Sequence, residues 1–438
     1  MAVEWSEHAI WWQVYPLGFV GAPQERSDQG DVVHSLGRIG AWLDYVIEMG
    51  CSGIALGPVF ASETHGYDTV DFFTIDPRLG SEADFEALVE AAHSRGLRIL
   101  LDGVFNHVGR AHPAFAAALA GGPTSATAPW FLLDWPEGWS PGDAAPRADN
   151  FEGHDALVAL NHENPAVVEL VADVMTHWLD RGADGWRLDA AYAVPPAFWA
   201  AVLPQVRDAH PGAWIVGEVI HGDYGGIVTE SGMDAVTQYE LWKAIGNGIQ
   251  EGNFFELAWS MKRHNEFLES FVPMTFVGNH DVTRLATSIS DERHRVHALV
   301  VLMTVGGVPS IYYGDEQGFT GLKEERAGGD DAIRPAFPAD PDDLGPEGWA
   351  TYHRHQELIS LRRRHPWLHR AATAELSLTN TGYAYEARSG NDRLVVALNN
   401  GDEVLELAGA EVSEVRAGHA DLRGETVRVP GHGWAVLS

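Results

Sequence analysis

Gly185-Trp186-Arg187-Leu188-Asp189-Ala190-Ala191-Tyr192 is the stretch on which the fold turns. Its apolar core reads as a short buried strand running out into a loop. Residues two apart on a strand point to the same side, so Arg187 and Asp189 project together at its carboxyl end. A fixed cation beside a carboxylate keeps the carboxylate ionised, as a nucleophile or an electrostatic stabiliser requires. A structural ion pair between strands explains the two residues equally well when they are taken alone. The decision rests on how the neighbouring strands end.

Working outward, apolar runs of the same kind recur. Ile10–Pro16 and Gly53–Pro58 read as strands one and two, the second followed by His65-Gly66-Tyr67-Asp68. Arg98–His107 is the third, a continuous apolar run ending in polar groups. After the central stretch come Trp214–Val219, Asp234–Tyr239, Met274–Asp281 and Pro309–Glu316 as strands five to eight. Helices separate them. Ser81 and Asp84 form a capping-box pattern ahead of Phe85, Leu88, Val89 and Ala92 on one face, with Gly96 at the C-terminal end. Further helices are expected over 41–48, 165–181 and 349–364.

Continuous apolar strands separated by helices imply a parallel sheet covered on its outer face. Eight of them give a (β/α)8 TIM barrel, which carries its site at the carboxyl ends of its strands. Strands three, four, five and seven all end here in ionisable groups. The rhythm breaks over 108–164, rich in Gly, Pro, Ala and Asp with Trp130, Phe131, Trp135 and Trp139 scattered through it. That is too long for a connecting loop, so an inserted subdomain follows strand three. Its aromatics are expected to form the insert's own core. From 369 to 438, short β-like runs alternate with turns such as Ser389-Gly390-Asn391-Asp392, the texture of a small antiparallel β-sandwich domain. The barrel then occupies 1–107 and 165–368.

Bulk properties narrow the function. The chain has 438 residues and a net charge of −33, with only Lys243, Lys262 and Lys323 as lysines. Such a surface repels phosphate backbones and anionic lipid, so nucleic acid and membranes are poor partners, and a neutral small molecule is compatible. Cys51 is the single cysteine, which rules out an intramolecular disulfide. The amino terminus lacks a basic segment followed by an apolar run, so a signal peptide is not expected and the protein is read as cytoplasmic.

The candidate chemistry gathers Asp102, Arg187, Asp189, Glu218 and Asp281 with His107 and His280. Cleaving an acetal needs an acid near the leaving oxygen and a carboxylate facing the developing oxocarbenium ion. Glu218, ending an apolar strand, fits the acid, and Asp189 the ionised partner. Asp102 and Asn106 are read as structural, tying strand three to its loop.

These segments resemble the α-amylase family of glycoside hydrolases. Asp102–His107 is similar to its strand-three signature, Gly185–Asp189 to its nucleophile strand and Gly217–Val219 to its acid/base strand. Phe276–Asp281 and Gly307–Glu316 resemble its strands seven and eight. Five motifs in order are highly specific.

The resemblance implies retention of anomeric configuration, with Asp189 as nucleophile, Glu218 as general acid and then base, and Asp281 as third carboxylate. It implies that Arg187 orients Asp189 and that His107 and His280 bind the sugar at the cleavage point, with Tyr67 stacking beneath it. Asp331 and Arg334, in Gly329–Arg334, resemble residues that grip the non-reducing end. Gly217–His221 and Leu157–Asn161 are closest in texture to the neopullulanase and cyclomaltodextrinase branch. Those relatives usually carry an extra amino-terminal β domain, whereas this barrel starts almost at Met1. Ala159 stands where they have a charged residue. Tyr192-Ala193 replaces the Lys-His common in true α-amylases, and Asn106 is the only familiar calcium ligand, so no metal and no cofactor is expected.

The function expected is hydrolysis of α-glucosidic bonds in maltooligosaccharides or related α-glucans. A transglycosylase or sugar isomerase would use the same intermediate, and a glycan-binding protein without catalysis would be expected to lack one of the three carboxylates.

Overall fold

The computed structural model describes residues 3–25, 31–326 and 328–438. The Gly-, Asp- and Ser-rich loop expected after the first strand falls partly on 26–30, and the amino-terminal reading partly on residues 1 and 2; both lie outside the described residues. Eight parallel strands form one sheet: β1 Trp11–Val14, β2 Gly53–Leu56, β3 Arg98–Gly103, β4 Gly185–Leu188, β5 Trp214–Gly217, β6 Ala235–Val236, β7 Met274–Phe276 and β8 Val308–Tyr312. Chain order is sheet order, with β8 pairing back onto β1. A parallel bridge from Thr237 to Met274 joins β6 to β7 and closes the barrel.

Alternation along the strands explains the interior. The lower inward positions (Trp11, Ala55, Leu100, Trp214, Ala235, Met274 and Val308) make a separate apolar cluster. Trp11 stacks on Trp214 with ring centroids 5.8 Å apart, and Trp5 meets Trp11 edge-on at 5.9 Å, plugging the bottom. Gly53 is required here, because a Cβ on it would lie 2.5 Å from the Trp11 ring. Two residues further up, the inward positions turn polar: Gln13, Asp102 and Arg187, all buried. The outward positions Trp12, Ile54, Leu101, Trp186 and Ile215 join the large core beneath the helices.

The helix Glu82–Ser94 starts on the expected capping box: Ser81 N–H donates to Asp84 Oδ2 at 2.7 Å, and Asp84 N–H to Ser81 Oγ at 3.4 Å. Pro165–Asp180 and Trp349–Arg364 match the expected helices within a residue. Several runs are shorter than read. The strand expected over 234–239 is only Ala235–Val236, because Tyr239 already opens the helix Tyr239–Gln250. The helix expected over 41–48 is Leu43–Met49, and a separate short helix, Leu36–Gly40, precedes it. The connection after β2 contains an antiparallel pair, Phe60–Ser62 with Thr69–Ile75, that alternation did not reveal.

Within the insert, His107–Gly109, His154–Ala159 and Asn150–Phe151 form a three-stranded antiparallel sheet. Phe131 meets Phe115 edge-on at 5.2 Å, and Trp135 meets Trp139 at 4.9 Å, so the scattered aromatics pack on one another or on the barrel side.

The carboxyl-terminal region is a sandwich. A five-stranded sheet (Ala372–Leu378, Gly382–Ser389, Asp392–Asn399, Trp434–Leu437, Val415–Gly418) faces a three-stranded one (Leu405–Ala408, Thr426–Val429, Asp421–Arg423). Ala384, Val395, Ala397, Leu437, Leu407 and Val427 fill the space between them. The alternate residues Tyr383, Tyr385, Val396, Leu398 and Val436 join the barrel core instead. Among the described residues no helix is long and apolar enough to cross a membrane.

Candidate active site

Register places the central charges. In the parallel pairing Arg187 stands opposite Asp102, and both side chains point into the barrel. A cross-strand neighbour lies about 4.8 Å away and the next same-face residue on the strand about 6.6 Å, so Asp102 rather than Asp189 is the natural partner. Arg187 Nη1 reaches Asp102 Oδ2 at 2.6 Å and Oδ1 at 2.7 Å, and Nη2 reaches Glu218 Oε1 at 2.8 Å. Asp189 Oδ1 is 3.4 Å from Nη1. Arg187 therefore braces Asp102 and Glu218 first and Asp189 last. Burial opposes the Arg187 charge, but Asp102 and Glu218 hold it firmly protonated.

The consequence for Asp189 reverses the sequence expectation. Burial and the neighbouring Glu218 carboxylate push its carboxyl well above the ordinary carboxylate range, against the pull of Arg187. The two strand ends are also wired together. Ala190 adopts a left-handed backbone (φ 45°), which turns the chain sharply after Asp189, and its N–H donates to Glu218 Oε2 at 3.0 Å. A non-glycine residue held there costs about 1–2 kcal/mol, as is common at functional sites.

Sequence reasoning did not single out Tyr239, whose hydroxyl donates to Glu218 Oε1 at 2.9 Å while Asn279 Nδ2 donates to that hydroxyl at 2.8 Å. Both lie within quoted motifs (Tyr239 closing the sixth run, Asn279 before His280). Only the start of the helix at Tyr239 brings them together.

Asp281 completes the set beyond β7. His280 Nε2 lies 3.0 Å from its Oδ2 and Arg334 Nη2 lies 2.9 Å from its Oδ1. Burial opposes its charge, but His280 and Arg334 outweigh it and hold the carboxyl far below the usual range. The Arg334 guanidinium sits 4.7 Å over the Tyr15 ring. Gln13 Nε2 and His280 Nδ1 are 3.2 Å apart. Tyr67 meets Asp102 Oδ2 at 3.2 Å and touches His280 Nε2 through the same hydroxyl. His107 Nε2 is 2.9 Å from the Tyr67 carbonyl, and burial pulls its pKa down to about 4. Asp68 braces the loop, accepting from Thr64 Oγ1 at 2.6 Å and Thr64 N–H at 3.1 Å.

These groups surround one cavity of about 440 Å³, a size suited to a small ligand. Asp189, Glu218, Asp281, Tyr67, His107 and Arg334 line it; Arg187 and His280 stand directly behind the carboxylates. Phe151, Glu152, His154 and Leu157 from the insert form the opposite wall with Tyr192, which donates to Glu152 Oε1 at 2.7 Å. None of Trp130, Phe131, Trp135 or Trp139 reaches it.

Asp331 takes a different place. It is exposed, accepts from Gln24 Nε2 at 2.6 Å and faces an adjoining hollow, while its neighbour Asp330 lines the cavity and pairs with Arg334 at 3.0 Å. Asp330 is the N-cap of a short helical turn over Asp331–Ile333, and the two adjacent carboxylates find different partners there. Asn106 Nδ2 lies 3.1 Å from His107 Nδ1.

The "Alpha amylase, catalytic domain" family description matches residues 13–343, three quarters of the chain. The chain belongs to the α-amylase family. It is an enzyme of the hydrolase kind that this family comprises. A protein named cyclomaltodextrinase from Geobacillus thermopakistaniensis (strain MAS1) is 30% identical over 431 residues, covering 93% of this chain and 71% of the relative. Neopullulanase 2 of Thermoactinomyces vulgaris is 30% identical over 433 residues, covering 91% and 70%. The branch suggested by Gly217–His221 and Leu157–Asn161 is therefore the branch of its relatives. Among solved structures, the cyclic alpha-maltosyl-(1→6)-maltose hydrolase from Arthrobacter globiformis, in complex with that sugar, superposes with a TM-score of 0.84. It is 26% identical and covers 100% of this chain and 99% of that one.

Proposed function

We propose that the protein hydrolyses α-glucosidic bonds in maltooligosaccharides or related short α-glucans, with retention of configuration. The observation that carries this reading is the convergence of Asp189, Glu218 and Asp281, from the ends of strands β4, β5 and β7, on one cavity. Four carboxyl groups against two guanidiniums leave the site electronegative, which suits the cationic character of the glycosyl transition state. The names of the relatives, cyclomaltodextrinase and neopullulanase, favour α-glucans as the substrate class.

In the proposed reaction a carboxylate oxygen of Asp189 attacks the anomeric carbon as the glycosidic C–O bond breaks, and Glu218 delivers its proton to the departing oxygen. Water then gives a proton to Glu218 and attacks the same carbon, releasing Asp189 and a product of unchanged configuration. In the free site burial and the Glu218 charge draw a proton towards Asp189. Attack needs that oxygen bare, so substrate binding must displace the proton from Asp189. Asp281, fixed as an anion between His280 and Arg334, is assigned to the sugar hydroxyls. Tyr67 and His107 are assigned to the same sugar ring, and Arg334 with Asp330 to its non-reducing side. The setting proposed is cytoplasmic.

The test is chromatography with anomeric NMR on a panel of maltose, maltotriose, isomaltose, trehalose, cyclodextrin and pullulan. Wild type should release α-configured products, and Glu218→Gln should lose at least about 1000-fold in rate. Failure of wild type on every member, with binding intact, would remove the hydrolase reading. Chain-lengthened products at high sugar concentration would point to transglycosylation.

A further inference from the structure

The helix Glu292–Thr304 follows β7, and its first turn faces the sandwich domain. Asp291 is its N-cap, and His294 Nε2 lies 2.9 Å from Nδ1 of His432, which sits in the turn before the last strand. One ligand-capable atom each from Asp291, His294 and His432 lies within 4.8 Å of the others. This is the only such trio among the described residues, and it lies apart from the carboxylate site.

We propose that Asp291, His294 and His432 bind a divalent transition-metal ion of the zinc class, which fastens the sandwich domain to the barrel.

Three features of the chain carry this. His432 is held in place by its backbone: it is one of the few non-glycine residues with positive φ (57°), and its N–H donates to the Gly401 carbonyl at 3.0 Å. Its Nε2 is 2.8 Å from Asp402 Oδ1. The Asp402 carboxylate accepts a hydrogen bond from the His432 Nε2–H, which fixes the ring proton there and leaves Nδ1 as a lone pair aimed at His294. Metal-binding histidines are oriented in this way. The donor set is also selective. Two imidazoles and one carboxylate suit zinc, cobalt or nickel, whereas calcium and magnesium take oxygen ligands. Donor atoms around tetrahedral zinc are roughly 3.3 Å apart, so the 2.9 Å pair needs only a small opening.

With Nδ1 of His432 as the lone pair, His294 donates its Nε2–H to it in the metal-free chain, and a metal takes the His294 Nε2 lone pair with the ring proton on Nδ1. Arg293 is the competitor. It contacts both Asp291 oxygens at 2.6–3.2 Å, but its side chain is 55% exposed and can leave for solvent when a doubly charged ion arrives. His297, one turn on, stacks on His294 at 5.4 Å. Its Nε2 is buried without a partner among the described residues. This site departs from the expectation of no metal.

The full chain, stripped with EDTA, is titrated with zinc chloride by calorimetry and thermal melting, and with cobalt chloride by visible absorption. Wild type should bind one ion, melt at higher temperature with zinc and show a cobalt band. Asp402→Asn should weaken binding at least about tenfold, with its melting in EDTA unchanged. His432→Gln and Asp291→Asn should lose the cobalt band. Absence of binding by wild type would mean that a plain imidazole–imidazole hydrogen bond fills the gap. Equal binding by wild type and Asp291→Asn, whose cap is kept, would place the ion elsewhere. Either result overturns the proposal, even if His432→Gln fails to fold.

Discussion

Arg187 is shared among three carboxylates and serves them unequally. Its two close contacts go to Asp102 and Glu218, which leaves Asp189 to a longer contact and to the repulsion of Glu218. If Asp189 must be ionised to attack, activity fails as pH falls through its raised folded-state pKa. The acid limb of kcat/KM should therefore lie above the ordinary carboxylate value of about 4, and a pH profile checks it. An acid limb at or below 4 would contradict the assignment. Tyr239 gives a second prediction. Removing its hydroxyl takes a donor from Glu218 and an acceptor from Asn279. A hydrogen bond to a charged group is worth about 1.5–3 kcal/mol, so Tyr239→Phe should lower kcat roughly 10- to 100-fold with KM little changed. Unchanged kcat would make Tyr239 a bystander.

At the scale of elements, the strand ends decide what is legible. Apolar runs closing in Asp102, Asp189, Glu218 and Asp281 could be read directly, because parallel barrel strands are apolar throughout and polar only where they surface. Partner choice could not. The neighbour of Arg187 within the chain is Asp189, but its neighbour in space depends on register with β3, which no pattern in β4 records. The same holds for Tyr239, read as a strand residue although it opens a helix, and for Asp330 against Asp331, the N-cap and first residue of one short helical turn. The turn after Asp189 is itself testable. Ala190→Val places a branched side chain at φ 45°, which it tolerates poorly. It should destabilise by about 1–3 kcal/mol and disturb the amide that holds Glu218. Urea unfolding and kinetics measure both, and an unchanged melt would show that the turn is unstrained.

The whole molecule carries its buried histidines as an acid sensor. Burial brings His107, His112, His264, His297 and His355 down to about 4 and His369 to about 3. Unfolded histidine titrates near 6.5, so between pH 6.5 and 4 the unfolded chain binds more protons than the folded one. Stability present above pH 6.5 should fall as pH drops, each group adding up to about 1.4 kcal/mol per pH unit to the slope. Glu316 works the other way. Burial raises it to about 7, so its contribution is fullest below pH 4.5 and is lost as pH rises towards 7. Asp102, Asp189, Asp234 and Asp315 are raised by burial in the same sense as Glu316, and the six histidines outnumber these five carboxyls. Thermal melting from pH 7.5 to 5 should show a steady fall, and Glu316→Gln should recover stability only at the alkaline end. A melting temperature that rises towards pH 5 would contradict the balance.

The central claim, a covalent glycosyl-enzyme on Asp189, is tested most directly by trapping it. In Glu218→Gln, α-maltosyl fluoride can glycosylate the enzyme without acid assistance, since fluoride leaves unaided, while the missing base slows release. Intact mass spectrometry should show one added maltosyl unit, and peptide mapping should place it on Asp189. No adduct together with β-configured product, or an adduct on Asp281, would contradict the account.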